Sequence, residues 1–340
     1  MGEKVSIYDI AKYLNISSAT VSYVINGVDK VSEKTKKKVL QAVEELGYVP
    51  SYTARALSTG KSGLIGVLLP LEDASIAFTQ NPFYGEFIGG IEQCLAKYNY
   101  DLVISVSKKE RSIIDWVKSR GLDGLILLGS CEKNVYEQLA SLDVPVVLTD
   151  DYGEYASGFH NVRSNDDYGM YIATKYLLNL GHQRIGFIGN PDAYPIDRLR
   201  YEGYRKALEE QHCPFHTLYV SDATFDGGYA IGSNILEEKR VSAVLCSGDM
   251  LAIGLMKKIR EMGCDTPKDL SVIGYDDIMV ANVVYPGLTT IHQDVGEKGF
   301  RSAQIIIDTL ENDRKGNISI QIKPKLVIRN SVKKHQAYKK

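Results

Sequence analysis

SIYDIAKYLNISSATVSYVINGVDKVSEKTKKKVLQAVEELGYVPSYTARALSTGKSGLIGVLLP, residues 6–70, holds three short helical patterns and then changes abruptly to an apolar run. Ile7, Ile10, Ala11 and Leu14 stand at i, i+3, i+4 and i+7, which is one face of a helix. Asn15-Ile16-Ser17 follows as a tight turn, and Ser17 is placed to cap a second helix from Ser18 to about Ile25, stopped by Asn26-Gly27. Ser32 is placed to cap a third, Glu33 to Leu46, with Gly47 as its C-terminal signal. Its expected buried stripe is Val39, Leu40, Val43 and Leu46. Two short helices joined by a three-residue turn form a helix-turn-helix pattern, whose second helix lies in the DNA major groove. That helix presents Ser18, Ala19, Ser22 and Tyr23; small side chains permit close approach to the bases, and Ser22 and Tyr23 carry hydroxyls for bases or phosphates. A plain three-helix bundle without a DNA role is the alternative.

Outward from this stretch, the bulk properties set limits. At 340 residues the chain fits a small module plus a large one. With 44% hydrophobic and 24% charged residues it has the composition of an ordinary globular protein rather than a disordered one. No apolar run reaches the length of a membrane span, and MGEKVSIYDIAKYL lacks the apolar core of a signal peptide, so a cytoplasmic location is expected. Net charge is −2 overall, yet residues 1–60 carry eight Lys/Arg against six Asp/Glu, including the cluster Lys34, Lys36, Lys37 and Lys38. The five cysteines are scattered without a CxxC pair, which favours packed thiols over disulfides or zinc.

The 6–70 stretch resembles the LacI/GalR family of bacterial repressors over its full length. The matching features are Tyr8-Asp9-Ile10-Ala11, Ala19-Thr20-Val21-Ser22, Val24-Ile25-Asn26, Val31-Ser32, Gly47-Tyr48-Val49-Pro50, Ala54-Arg55 and Leu57. The resemblance implies DNA contacts from Tyr8, Ser17, Ser18, Ala19, Thr20, Ser22, Tyr23, Asn26, Ala54, Arg55 and Leu57. It makes residues 1–49 the DNA-binding domain and 50–61 a hinge helix, in which Ala54 lines the minor groove and Leu57 wedges between the central base pairs. Such a wedge unstacks a base step and kinks the duplex. One departure stands in the recognition helix: many members carry Arg where this chain has Tyr23, and Tyr cannot copy the bidentate contact of Arg with guanine. Gly60-Lys61-Ser62 is not the end of a phosphate-binding loop, because Arg55 occupies the position of the required earlier glycine.

From residue 63 short apolar runs alternate with helical segments: Leu64–Leu69, Leu102–Val106, Leu125–Leu128, Val144–Leu148, Ile185–Ile188, Ala243–Cys246 and Ser271–Gly274. This is the pattern of βαβ units and parallel sheets, so an α/β core is expected. The resemblance gives it two lobes like those of periplasmic binding proteins, about 62–162 with 292–322 and about 163–291 with 323–332, within an effector-binding core of 62–340. Ligands of open α/β sheets bind beyond the carboxyl ends of strands. Aromatic, carboxylate and arginine side chains follow these strands, a set suited to a polyhydroxylated ligand. The resemblance selects four as effector contacts. They are Arg200, three residues before Gly203; Asp276, the first acid of Gly274-Tyr275-Asp276-Asp277; Tyr84 in Asn81-Pro82-Phe83-Tyr84; and Asp150. Asp249 is expected to brace the pocket or cap a helix. Two departures widen the choice of effector: Ala223 replaces a common aromatic after Asp222, and Gly248 replaces a common Asn, leaving a roomier pocket.

No GxSxG, HExxH, CxxC or post-strand GxGxxG occurs, and the six histidines lack metal-ligand spacing, so neither an enzyme nor a cofactor is expected. The function that emerges is a repressor of a carbohydrate-utilisation operon, with operator affinity modulated by a sugar or sugar derivative. A nucleobase-corepressed regulator and a sugar-binding transport protein are the alternatives. The tail after Arg329 has no Leu heptads for a coiled coil, so the partners expected are operator DNA, a small-molecule effector and a second copy in a homodimer.

Overall fold

A computed structural model describes residues 5–25, 28–48, 60–69, 78, 81–106, 112–213, 217–312 and 316–335. Asn26, Ala54, Arg55 and Leu57 therefore lie outside the described residues.

The N-terminal module is α1 (Ile7–Leu14), α2 (Ser18–Ile25) and α3 (Glu33–Glu45). Each start is fixed by a side chain. The Asp9 carboxylate accepts from the Ser6 N–H at 2.8 Å, the Ser17 hydroxyl accepts from the Thr20 N–H at 3.1 Å, and the Ser32 hydroxyl accepts from the Thr35 N–H at 3.4 Å. These satisfy donors that a helix leaves unpaired at its N-terminus. Ile10, Val21 and Val39 meet in a core without solvent contact, closed by Ala42 and Tyr48. Leu40 does not join them: it is 55% exposed. The stripe that begins at Val39 continues through Ala42, Val43 and Leu46, and Leu40 stands a further 100° round the helix from Val39.

The core is α/β. In chain order it comprises β1 (Leu64–Leu69), α4 (Pro82–Leu95), β2 (Asp101–Val106), α5 (Ile113–Arg120), β3 (Gly124–Leu128), α6 (Lys133–Ala140), β4 (Val146–Thr149) and β5 (His160–Ser164). It continues with α7 (Asp166–Asn179), β6 (Ile185–Gly189), α8 (Pro195–Glu210), β7 (Thr217–Val220), α9 (Phe225–Glu238), β8 (Ala243–Cys246) and α10 (Asp249–Glu261). The last elements are β9 (Ser271–Asp276), α11 (Met279–Val283), β10 (Thr289–His292), α12 (Val295–Asn312), β11 (Ser319–Ile322) and β12 (Lys325–Val327).

Two six-stranded sheets result, ordered β11-β5-β4-β3-β1-β2 and β12-β10-β9-β8-β6-β7. Every pairing is parallel except that of β10 with β12. Central strands such as β3 and β8 are buried along their whole length, as strands covered on both faces must be. The chain passes between the sheets three times: after β5, after β10 and after β11. β5 ends at Ser164 and β10 at His292, so the first two passages come slightly later than the lobe limits expected at 162 and 291.

Candidate functional site

On the N-terminal module, α2 turns Ala19 and Tyr23 outward, with Ser18 and Ser22 half-buried beside them. Tyr23 is 38% exposed, and the Lys30 ammonium lies 5.5 Å from its ring centroid, so the face combines a phenol with a cation. Tyr8 on α1 is exposed. Ser17 and Thr20 also hydrogen-bond each other, hydroxyl to hydroxyl at 2.8 Å, in keeping with their capping position. Of the four clustered lysines, Lys36 is engaged by Asp29 at 2.9 Å and Glu33 at 2.7 Å. Lys34, Lys37 and Lys38 are exposed.

In the core, a cavity of about 710 Å³ opens beyond the carboxyl ends of β7, β8 and β9. The first sheet's side contributes Asn81, Phe83 and Tyr84 from the start of α4, where the Asn81 side chain accepts from the Phe83 N–H at 3.1 Å. Phe83 and Tyr84 stand edge to face, centroids 5.5 Å apart. The second sheet's side contributes Tyr194 just before α8, Ile196, Asp197 and Arg200 from α8, residues 222–226, Ser247-Gly248, Met250 and Asp276. Gln293, on the passage between β10 and α12, completes the lining. Apolar rings and a few polar groups facing each other across a cleft describe a small-molecule site.

Arg200 is set by the packing of α8 on α7. Gly203 makes this possible, since a Cβ there would collide with the Asp167 carbonyl. The Arg200 Nε and a terminal nitrogen reach Asp166 at 2.9 and 2.8 Å, and the other terminal nitrogen donates to the Ser247 carbonyl. Its guanidinium lies 3.6 Å over the Tyr275 ring and 3.9 Å from the Asp276 carboxylate. Asp166 is fully buried; burial works to raise its pKa, but Arg200 and then Lys298 outweigh it and hold the carboxyl below its ordinary value. Asp276 sits at φ 115°, in backbone space that disfavours a side chain, with Gln293 donating to its carboxylate. Burial pushes the Asp276 carboxyl up to about 6, against the pull of Arg200 and Gln293.

Three of the four residues expected to touch an effector (Tyr84, Arg200 and Asp276) line the cavity, and Asp150 does not. Asp150 instead receives the Lys298 ammonium at 2.5 Å. Lys298 is wholly buried, 148 residues away along the chain, and also donates to Gln293 at 2.5 Å. The other acids of the strand ends are structural as well. Asp249 accepts from the Ile278 N–H and the Thr290 hydroxyl at 2.9 and 2.6 Å, bracing the loop that carries Asp276. Asp277 binds Arg329 at 2.6 Å. Ala223 and Gly248 both border the cavity, and a Cβ added at Gly248 would meet nothing closer than 3.7 Å, so this wall is open. Phe83, Tyr194, Phe225 and Gln293 were not selected from the sequence as contacts; the pairing of Phe83 with Tyr84 at the helix start, and Phe225 two positions after Ala223, are the signals that pointed there.

Residues 6–51 match the model of the bacterial regulatory proteins of the lacI family, and residues 174–332 match a periplasmic binding protein-like domain. The HTH-type transcriptional repressor PurR of Vibrio campbellii is 33% identical over 341 residues, covering 97% of this chain and 99% of that one. The ribose operon repressor of Haemophilus influenzae is 30% identical, covering 95% and 97%. Among solved structures, the lac repressor dimer bound to operator and the anti-inducer ONPF superposes with a TM-score of 0.84 at 26% identity, covering 97% of this chain and all of that one. A LacI family regulator from Enterococcus faecium with bound ribose gives 0.72 at 29% identity, covering 80% of this chain and all of that one.

Proposed function

We propose that this chain, which belongs to the lacI family of bacterial regulatory proteins, represses a carbohydrate-utilisation operon from the cytoplasm and answers to a sugar. The observation that carries the sugar reading is the cavity itself, where carboxylate acceptors face aromatic rings. A sugar presents hydroxyl donors round its edge and a flat apolar face to a ring. The ribose operon repressor and the ribose-bound regulator among the similar proteins support the same class of ligand. A second reading, a nucleobase corepressor, draws on the PurR relatives and on the capacity of Tyr84 to stack on a base.

Two copies place two α2 helices on a pseudo-palindromic operator, and the hinge residues, with Leu57 as wedge, order in the minor groove between them. Met279 and Val283, one turn apart on α11, and Tyr285 after it are 75%, 70% and 82% exposed, an apolar face that suits contact with a second copy. Ligand in the cavity shifts the two lobes relative to each other and so alters the spacing of the hinge starts. It does so only to the extent that it binds one arrangement more tightly than the other.

A thermal-shift panel of sugars and purines, followed by operator binding with and without each hit, tests this. Stabilisation by a sugar that also changes operator affinity is expected. Stabilisation only by purines would replace the sugar reading with the nucleobase one.

A further inference from the structure

The ionic character of the cavity narrows the kind of sugar it accepts. Among the described residues its lining carries four carboxylates, Asp197, Asp222, Asp226 and Asp276, and a single cation, Arg200. That cation is already paired: three of its five N–H groups go to Asp166 and the Ser247 carbonyl, the Asp166 carboxylate balances its charge, and one face of its guanidinium is covered by Tyr275. The next ammonium behind the cavity, Lys298, is held by Asp150 and Gln293 at 2.5 Å each and does not line it. Two of the neutral polar groups are already committed as donors to these carboxylates. The Tyr194 hydroxyl already donates to Asp222 at 3.3 Å, and the Gln293 amide donates to Asp276. A ligand entering this space meets an excess of carboxylates over cations, beside the neutral hydroxyls of Tyr84, Thr224 and Ser247.

Such a lining rewards a ligand that donates and penalises one that brings an anion. Hydroxyl and ammonium groups hydrogen-bond to carboxylates, and bonds to a charged partner are the stronger kind. A phosphate or carboxylate on the ligand would meet only a cation whose charge Asp166 already balances, and would stand near like charges, weakly screened at part-buried Asp276 and more screened at exposed Asp222 and Asp226. Rejection built from unpaired or repelling groups is a physical source of specificity. The open wall at Ala223 and Gly248 leaves room beyond a single ring.

We propose that this cavity takes an uncharged or amino-bearing saccharide and rejects its phosphorylated and uronic counterparts, an inference that rests on the sugar reading above.

The test is titration of the full chain with matched sets: glucose, glucosamine, glucuronate and glucose 6-phosphate; ribose and ribose 5-phosphate; trehalose and trehalose 6-phosphate. Cellobiose and maltose extend the neutral arm, and adenine, guanine and hypoxanthine form the control arm. The expected result is that a neutral or amino sugar binds, with its phosphorylated or uronic counterpart at least about tenfold weaker. In the double variant Asp222→Asn with Asp226→Asn, both residues being exposed on the cavity rim, that gap should narrow severalfold. A phosphorylated or uronic sugar that binds as tightly as its neutral counterpart would overturn the proposal and leave the sugar reading standing. A gap unchanged in the double variant would overturn the role given to these carboxylates. Binding by nucleobases alone, or by no member of the sets, would remove the sugar reading and this inference with it.

Discussion

Lys298 exposes none of its side chain, and both of its polar contacts, Asp150 and Gln293, tie it to the back of the cavity. Removing one partner of a buried ion pair leaves an uncompensated charge, which is more damaging than losing the pair whole. Lys298→Met should therefore lower stability by about 3–5 kcal/mol in urea denaturation, and adding Asp150→Asn should restore much of the loss. Asp276 makes a different prediction. Its proposed role is to accept from ligand hydroxyls as a carboxylate, and burial pushes its carboxyl up to about 6. Effector affinity should fall as pH drops through that value and level off above it, and Asp276→Asn should flatten the profile while weakening binding at neutral pH. Calorimetric titration over a pH series reads both. The family resemblance pointed to Arg200 and Asp276, and the structure shows the nearby glycines, Gly203 and Gly274, in sterically tight positions. The resemblance did not show where Asp150 points, because nothing local announces that a lysine 148 residues later will claim it.

Among the elements, the recognition helix is where reading and structure agree most closely. Its cap and its turn follow from short-range chemistry, and of the four residues expected outward Ala19 and Tyr23 are exposed while Ser18 and Ser22 are half-buried. Tyr23→Arg should shift operator preference toward guanine at one base pair in each half-site, by about 1–3 kcal/mol, read by selection on randomised operators. A phenol beside Lys30 cannot make that bidentate contact. The third helix shows the limit of pattern reading: Leu40 and Ala42 exchange places because an apolar residue one step off the stripe looks like part of it. Strands β5, β7 and β10 to β12 escaped notice for another reason. They are three to five residues long, too short and too polar for an apolar run to stand out. Gln293 lies just beyond one of them and was missed with it.

For the whole molecule, the α/β core was legible in the repeated βα units and its two lobes in the family resemblance, while the apolar face on α11 was not, since exposure depends on what packs around it. Tyr285→Asp should weaken association of two copies, seen as a shift toward monomer in sedimentation, and should weaken operator binding while ligand affinity is retained. The threefold passage of the chain between the sheets has a consequence for how such proteins diversify. Residues 6–48 form a contiguous cassette that one crossover can transfer to another sensor. Neither lobe is contiguous, so no single cut isolates one, and a foreign lobe would have to be spliced in at all three passages at once. Recombination can therefore exchange what this architecture reads on DNA far more readily than half of what it senses.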